Sequence, residues 1–445
     1  MIAGNAKDCV PRSFGVDKVV CVCNSTYCDD TPVNDPKVPE DGTFYWYVST
    51  KEGQRLKLTE ARFDSNEESS SADETLTVDS TKKYQKIMGF GAAFTDATGI
   101  NVKNLSQAAQ DQFLRTYFDQ ETGSRYAFGR VPIGGTDFSS RLYTYDAVSN
   151  DTTLKHFALT KEDYLYKAPL MQEALKLNPN LKFLGAVWTP PSWIQDKGTY
   201  YQLYANYILK FLDGYKEKGL DFWAVSTGNE PLNAFIPGNP LHAMGWTPTT
   251  AAKWIANNLG PSLARAEHNK TLILALDDNR FQLPWYLAEM FMTEDAKKYV
   301  AGVAVHWYFD STAPPVVLDI THAAFPDKFI MMTEALDLGS WERGEKYILS
   351  ILEYMNNWAV SWVDWNLALD KTGGPNFMNN NVDSPVIVDP ETDEFFKQPM
   401  FYAIKHFSRF IDVDSDRVHI TETKDIKATA ALTPSNEVVV VMYNR

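Results

Sequence analysis

The chain has 445 residues, with 42 Lys and Arg against 57 Asp and Glu, for a formal charge of −15. Its 44% apolar and 22% charged residues belong to a folded globular protein, not to a disordered or fibrous chain. No run of roughly 18 apolar residues offers a membrane span, and no Lys/Arg run offers the cationic face with which a nucleic-acid binder displaces counterions.

At about 150 residues per domain, the length calls for two or three domains, or for one barrel with attachments. The acidity serves solubility. It also suits a working compartment acid enough to protonate part of the carboxylates. The 12 Trp, 22 Tyr and 25 Phe are mostly core material, although such rings also stack on the C–H faces of sugars.

All the cysteines fall near the start: Cys9, Cys21, Cys23 and Cys28. Four thiols this close allow three disulfide pairings or a metal site. No histidine stands near them, and a C-x-C-x4-C spacing fits zinc poorly. Disulfides are therefore expected, and with them an oxidising route. Sequons at Asn24, Asn104, Asn150 and Asn269 agree with that route. The opening residues, MIAGNAK, lack the apolar stretch of a signal peptide, so a leader is expected to have been removed or to precede them.

Residues 29–42 read as an extended crossing, and residues 43–60 as a half-buried antiparallel hairpin with Phe44, Trp46, Val48, Leu56 and Leu58 on its apolar positions. Residues 64–74 read as an acidic, Ser-rich loop and Thr75–Val78 as a strand. From about residue 84, short apolar strands alternate with helix-period stretches. The expected strands are Lys86–Phe90, Tyr126–Ile133, Lys182–Trp188, Phe222–Ser226, Thr271–Leu276, Ala301–Trp307, Lys328–Thr333 and Ala359–Trp365. Helical spacing is clearest at Leu105–Phe118, Leu165–Leu175, Leu203–Tyr215 and Tyr347–Met355. This alternation predicts a (β/α)8 TIM barrel. A doubly wound sheet would want a Gly-rich phosphate turn after its first strand, and Gly89-Phe90-Gly91 continues wrongly for that. Residues 382–388, 428–432 and 437–443 read as further strands, so β modules drawn from both chain ends are expected. A sheet ending on so apolar a strand needs a partner, which predicts further sequence beyond Arg445.

In such a barrel the chemistry sits where the strands end. Here those ends carry Asp96; Arg130 and Asp137; Trp188 to Trp193; Gly228-Asn229-Glu230-Pro231; Asp277-Asp278; His306-Trp307-Tyr308; Glu334; and Asp364-Trp365-Asn366. There is no GK[ST] loop, no HExxH and no G-x-S-x-G elbow, and His306 has no evident histidine partner. No metal and no organic cofactor is implied. Carboxylates and indoles remain, which suits glycoside hydrolysis by two acids flanking the bond. Glu230 after strand four and Glu334 after strand seven can face each other across the barrel. The nucleophile, Glu334, must be ionised, so a cation is expected beside it, and Arg130 is the candidate.

At these residues the sequence resembles the glucosylceramidases of glycoside hydrolase family 30. The likeness runs through CVPRSFG and CVCNSTYCD (9–29), GFGAAFTDA (89–97), RVPIGGTDFSSRLYTY (130–145), FWAVSTGNEP (222–231), GVAVHWYFD (302–310), GSWERG (339–344), WVDWNLALD (362–370), GGPNF (373–377), VDSPVIVD (382–389) and FFKQPMFYAIKHFSRFI (395–411). It implies a retaining β-glucosidase that cleaves glucosylceramide to glucose and ceramide, with Glu230 as acid/base and Glu334 as nucleophile. It places Asp96, Trp188, Asn229, Trp365 and Asn376 at positions that hold the glucose, and Arg130, His306, Trp307 and Tyr308 around the nucleophile. On the residues alone, Asp96 reads equally as a helix cap, Asn376 as a turn residue, and Trp188 and Trp365 as core.

The same resemblance implies the bridges Cys9–Cys21 and Cys23–Cys28. It also implies a layout of three units. Residues 1–34 and 367–398 form a small antiparallel β domain, 35–84 and 415–445 an immunoglobulin-like β-sandwich, and 85–366 and 399–414 the barrel. The partners implied are glucosylceramide at a membrane surface, met through exposed apolar loops without a span, and a saposin-type activator protein. The place implied is the lysosomal lumen or the outside of the cell. The chain departs from the family pattern in short segments after Trp193 and between Glu334 and Trp341, both at the mouth of the site, and in Thr136, where a cysteine is usual. The other readings are a β-glucanase or β-xylosidase of the same family and a catalytically silent sugar- or lipid-binding protein.

Overall fold

The computed structural model describes residues 6–34, 39–63, 74–195, 200–239, 243–337, 341–380 and 382–444. The opening residues 1–5, the Ser-rich loop up to residue 73, and the centres of the two short segments (196–199 and 338–340) lie outside the described residues.

Eight parallel strands close into a barrel, each beside the next and the last beside the first. In chain order, strands one to eight are Gly89–Ala93, Phe128–Ile133, Lys182–Val187, Phe222–Ser226, Leu272–Asn279, Val300–His306, Phe329–Glu334 and Ala359–Asn366. Their runs are apolar because helices cover the outside while side chains fill the inside. Phe128, Leu184, Ala224, Leu274, Ala304, Met331 and Val363, from strands two to eight, form one buried layer within the ring. A second cluster, with Ala93, Phe138, Ala186, Trp188 and Trp365, lies at the C-terminal ends.

The helices follow their apolar spacing. In Tyr201–Lys216, residues Leu203, Tyr204, Tyr207, Ile208, Phe211, Leu212 and Tyr215 are buried, the stripe expected of a helix laid on a barrel. Side-chain caps start others. The Thr95 hydroxyl accepts from the Thr98 N–H ahead of Asp96–Lys103, and that of Ser106 from the Ala109 N–H ahead of Gln107–Phe118.

Three smaller sheets flank the barrel. Pro11–Ser13, Val19–Asn24, Glu394–Lys397, Val386–Asp389 and Leu369–Asp370 form a five-stranded sheet in that order. Its last pair is parallel, so the sheet expected to be antiparallel is mixed. Cys9–Cys21 and Cys23–Cys28 are the disulfides. All four sulfurs are thus in bridges, and no thiolate is left for a metal. Val438–Asn444, Ile426–Leu432, Asp416–Ile420 and Val78–Lys86 form a four-stranded antiparallel sheet. The hairpin Thr43–Val48 with Lys57–Arg62 stands apart from it as a two-stranded sheet. Both border a cavity of about 1190 Å3, away from the strand ends.

Several strand limits differ from expectation, two of them where the chain enters the barrel. Thr75–Val78 is extended only at its end, and the strand runs on to Lys86. Strand one begins at Gly89 instead of Lys86. The chain changes sheets between them, at Gly89 with φ +115°. A Cβ there would stand 2.5 Å from that of Ala127, so only glycine allows the crossing.

Candidate active site

Strand seven delivers Glu334 directly, 4% exposed, at its last position. Glu230 needs more construction. Beyond strand four the backbone stays tied to both neighbours: the Asn229 N–H donates to the Val187 carbonyl and the Glu230 N–H to the Asp277 carbonyl. Glu230 then takes a left-handed conformation, φ +41° and ψ 63°, before Pro231 opens a short 3-10 turn over Pro231–Phe235. A non-glycine residue there costs on the order of 1–2 kcal/mol, and strain of this kind gathers where a side chain must be aimed. One oxygen of Glu230, one of Glu334 and a ring nitrogen of His306 all lie within 4.8 Å of one another.

His306 ends strand six and bridges two carboxylates. Nδ1 donates to Glu230 Oε1 at 3.0 Å and Nε2 to Asp277 Oδ1 at 3.1 Å. Burial alone would lower its pKa, but Glu334, Asp277 and Glu230 outweigh that and raise it to about 10. Raised in this way, the ring favours the imidazolium, which donates from both nitrogens to the two carboxylates.

Asp277 reaches the ring through a bulge. Leu276 and Asp277 both have positive φ, and the register with strand six slips between Leu276 and Asp278. Such a slip re-aims side chains, and here it buries Asp277 toward Arg130. Burial would raise Asp277, but Arg130 and His306 hold it well below the usual carboxylate range.

Arg130, fully buried on strand two, ties the centre together. Its Nη1 donates to Glu334 Oε2 at 2.5 Å, and its Nη2 to Asn229 Oδ1 at 2.7 Å and to Asp277 Oδ2 at 2.8 Å. Tyr308 donates its hydroxyl to the other Glu334 oxygen at 2.6 Å. Both Glu334 oxygens are therefore held in place. Burial raises Glu334, while His306 and Arg130 pull it back. Trp188 and Trp365 stack with centroids 4.5 Å apart and planes 7° apart, and the Arg130 guanidinium lies 4.8 Å from the Trp188 centroid. Trp307 supports from outside: it donates to the Leu336 carbonyl and packs edge-on to Tyr347 and Trp362.

Two expected sugar ligands are otherwise engaged. Asp96 accepts from Ser139 Oγ at 2.6 Å and Tyr143 OH at 3.2 Å, and its Oδ1 lies 3.5 Å from the buried Lys167 ammonium. Asn376 donates to the carbonyls of Gly373 and Asn380 and accepts from the Asn380 N–H, which closes its own loop. Their neighbours face the glutamates instead. Asp137 Oδ2 accepts from Asn380 Nδ2 at 3.0 Å, while its buried Oδ1 has no partner among the described residues. Burial first, then Glu334, pushes Asp137 up to about 7. The buried Nε1 of Trp188 is also unpartnered among the described residues. A buried acceptor and a buried donor without partners fit a ligand rich in hydroxyls.

Sequence reasoning named Asp137 and Asp277 only as strand ends and gave Asn380 no role. The run Thr-Asp-Phe after strand two and the paired acids ending strand five were the available signals. Of the sequons, Asn104, Asn150 and Asn269 are exposed and Asn24 half-buried.

Comparison with known proteins shows the family of the chain. Residues 87–411 match the glycosyl hydrolase family 30 TIM-barrel domain. The lysosomal acid glucosylceramidase of Mus musculus is 41% identical, across 100% of this chain and 90% of that protein. The putative glucosylceramidase 2 of Caenorhabditis elegans is 38% identical, across 99% and 89%. Among solved structures, SrfJ from Salmonella typhimurium superposes with a TM-score of 0.84 at 24% identity, over 91% of this chain and 92% of its own.

Proposed function

Because the chain belongs to glycosyl hydrolase family 30, we propose that it is a retaining β-glucosidase that splits glucosylceramide into glucose and ceramide through a covalent glucosyl-enzyme. The observation that carries this reading is the approach of one oxygen from each glutamate to within 4.8 Å. Retaining enzymes hold their carboxyl groups about 5–5.5 Å apart, whereas inverting ones leave about 6.5–9.5 Å for a water.

In the first step, a carboxylate oxygen of Glu334 bonds to the anomeric carbon while Glu230 gives its proton to the departing oxygen. Ceramide leaves as the alcohol. In the second step, Glu230 takes a proton from water, the water oxygen bonds to the anomeric carbon, and the ester to Glu334 breaks. Arg130 and Tyr308 orient the nucleophile. Arg130 takes the carbonyl of Asn229, which leaves the amide nitrogen to meet the sugar 2-hydroxyl. We assign the outer hydroxyls to Asp137 Oδ1 and Trp188 Nε1, with Trp365 as a stacking wall. Asp96 and Asn376 act as supports for these groups.

A ceramide has to be met by apolar surface. Phe235, Ile236, Phe281 and Phe309 follow strands four, five and six, and are 48%, 55%, 40% and 51% exposed. Phe281 and Phe309 pair at 5.6 Å. This rim suits lipid at a membrane surface, and no helix among the described residues is long and apolar enough to cross one. The lysosomal lumen is the compartment proposed, and a saposin-type activator protein is the partner proposed to present the lipid.

Glu334→Gln should abolish turnover of a fluorogenic β-glucoside and covalent labelling by a cyclitol epoxide; near-normal turnover or continued labelling would defeat the assignment. Wild-type enzyme should hydrolyse glucosylceramide in detergent micelles faster than soluble β-glucans or xylosides. The reverse order would make it a polysaccharide-directed member of the family.

A further inference from the structure

The reaction asks Glu230 to give up a proton in one step and to take one in the next. The groups on its two oxygens govern both. Oε1 accepts from His306 at 3.0 Å. Oε2 accepts from the side-chain amide of Asn233 at 2.7 Å. The turn after the acid builds this second contact: Glu230 is left-handed, Pro231 holds the next φ, and the Asn233 N–H donates to the Glu230 carbonyl at 2.9 Å.

We propose that Asn233 is a positioning residue for the acid/base, anchoring Glu230 Oε2 and setting the pH above which the first step fails. The inference rests on the reading of Glu230 as the acid/base. An amide N–H donates a charge-assisted bond to a carboxylate and favours the ionised form. Turned over, the same amide offers its oxygen to a protonated carboxyl, but the bond is then the weaker, neutral kind. Asn233 thus follows Glu230 through both states while leaning toward the ionised one.

Other charged and titratable groups also face Glu230. His306 and Tyr308 come from the end of strand six, Glu334 from strand seven, Asp278 from strand five and Asp137 from the loop after strand two; Asp277 and Arg130 stand behind His306 and Glu334. All stay in place when Asn233 is changed, so a difference between variants isolates its amide. Asn233 is half-buried in a turn held by backbone bonds, and its replacement leaves those bonds intact.

The test is the pH profile of kcat/KM on an aryl β-glucoside for wild type, Asn233→Ala, Asn233→Leu and Asn233→Asp. Loss of the donor should move the basic limb upward by about 0.5–1 pH unit, roughly three- to tenfold in proton concentration, with the acid limb unmoved. Asn233→Asp sets a like charge beside the acid and should move the basic limb further. Basic limbs in the Ala and Leu variants that coincide with that of wild type overturn the proposal. So does a uniform rate loss across the pH range, which would leave Asn233 a mere turn residue. Glu230→Ala, run alongside, should abolish the basic limb and slow poor leaving groups most. If its loss is uniform across leaving groups, the reading of Glu230 fails and the proposal with it. If Glu230→Ala behaves as an acid/base variant while the limbs coincide, only the role of Asn233 falls.

Discussion

Asp137 and Asp96 lie at the ends of neighbouring strands and have opposite surroundings. Asp137 keeps a buried oxygen without a partner among the described residues; Asp96 is bonded by Ser139 and Tyr143 and faces Lys167. Lys167 also pairs with Asp163 at 2.9 Å, fully buried. Asp137→Ala should therefore leave the thermal midpoint near wild type and cut kcat/KM about tenfold, the cost of one hydrogen bond to substrate. A kcat/KM within about threefold of wild type would remove Asp137 from the sugar site. Asp96→Ala leaves a buried cation short of a partner and should cost about 3–5 kcal/mol of stability, read by chemical denaturation. An unchanged midpoint would show that Asp96 carries no such load. The sequence displays both acids equally. What separates them is Lys167, remote along the chain, and no local pattern announces it. Glu230 and Glu334 were legible because they fall at or just after strand ends that the apolar pattern marks; Arg130, expected at the end of strand two, lies inside it, where a cation interrupts the apolar run Phe128–Ile133.

At the scale of elements, long helices were legible and strand limits less so. Helix Tyr201–Lys216 contains the expected Leu203–Tyr215, and Trp341–Asn356 the expected Tyr347–Met355, since amphipathic spacing outlasts errors at the ends. The fifth strand was expected to stop at Leu276 but continues to Asn279 through a bulge. Acidic residues with left-handed backbone do not read as strand, yet these place Asp277 against Arg130. Barrel closure rests on a similar hidden demand. Strand one lies so close to strand two that a Cβ on Gly91 would stand 2.2 Å from the Phe128 carbonyl oxygen. Backbone cannot yield as a side-chain tip does, so Gly91→Ala should cost at least about 1–3 kcal/mol, the range of overpacked cores. It should also lower the thermal midpoint by several degrees. A midpoint equal to wild type would mean that the ring tolerates a wider seam between these strands.

Over the whole molecule, buried acids set how stability depends on pH. Burial raises Asp137, Asp310 and Asp364 each to about 7, and it raises Asp96, Asp278 and Asp383 as well. In the unfolded chain such carboxyls titrate near about 4. Between those values the folded protein holds more protons than the unfolded one, so its stability declines as pH rises. His306 acts in the same sense at higher pH: it is raised from 6.5 to about 10, so its contribution is full below its unfolded value and is lost as pH climbs toward 10. Lowered bases oppose. Burial, then Lys405, lowers His406 to about 4, and burial lowers His322, Lys405 and Lys397; each favours the folded state as pH rises above its folded value. The raised carboxyls and His306 outnumber them. Charge repulsion adds to the decline, because a chain already at −15 gains negative charge with every acid ionised. In strong acid the sign reverses, as Asp277 and Asp163, both held below the usual range, take up protons and release their cations. At constant ionic strength the thermal midpoint should therefore fall steadily from about pH 5 to about pH 8. A midpoint that climbs over that interval would show that these acids are ionised in the folded state, and it would remove the physical basis for placing this protein in an acidic lumen.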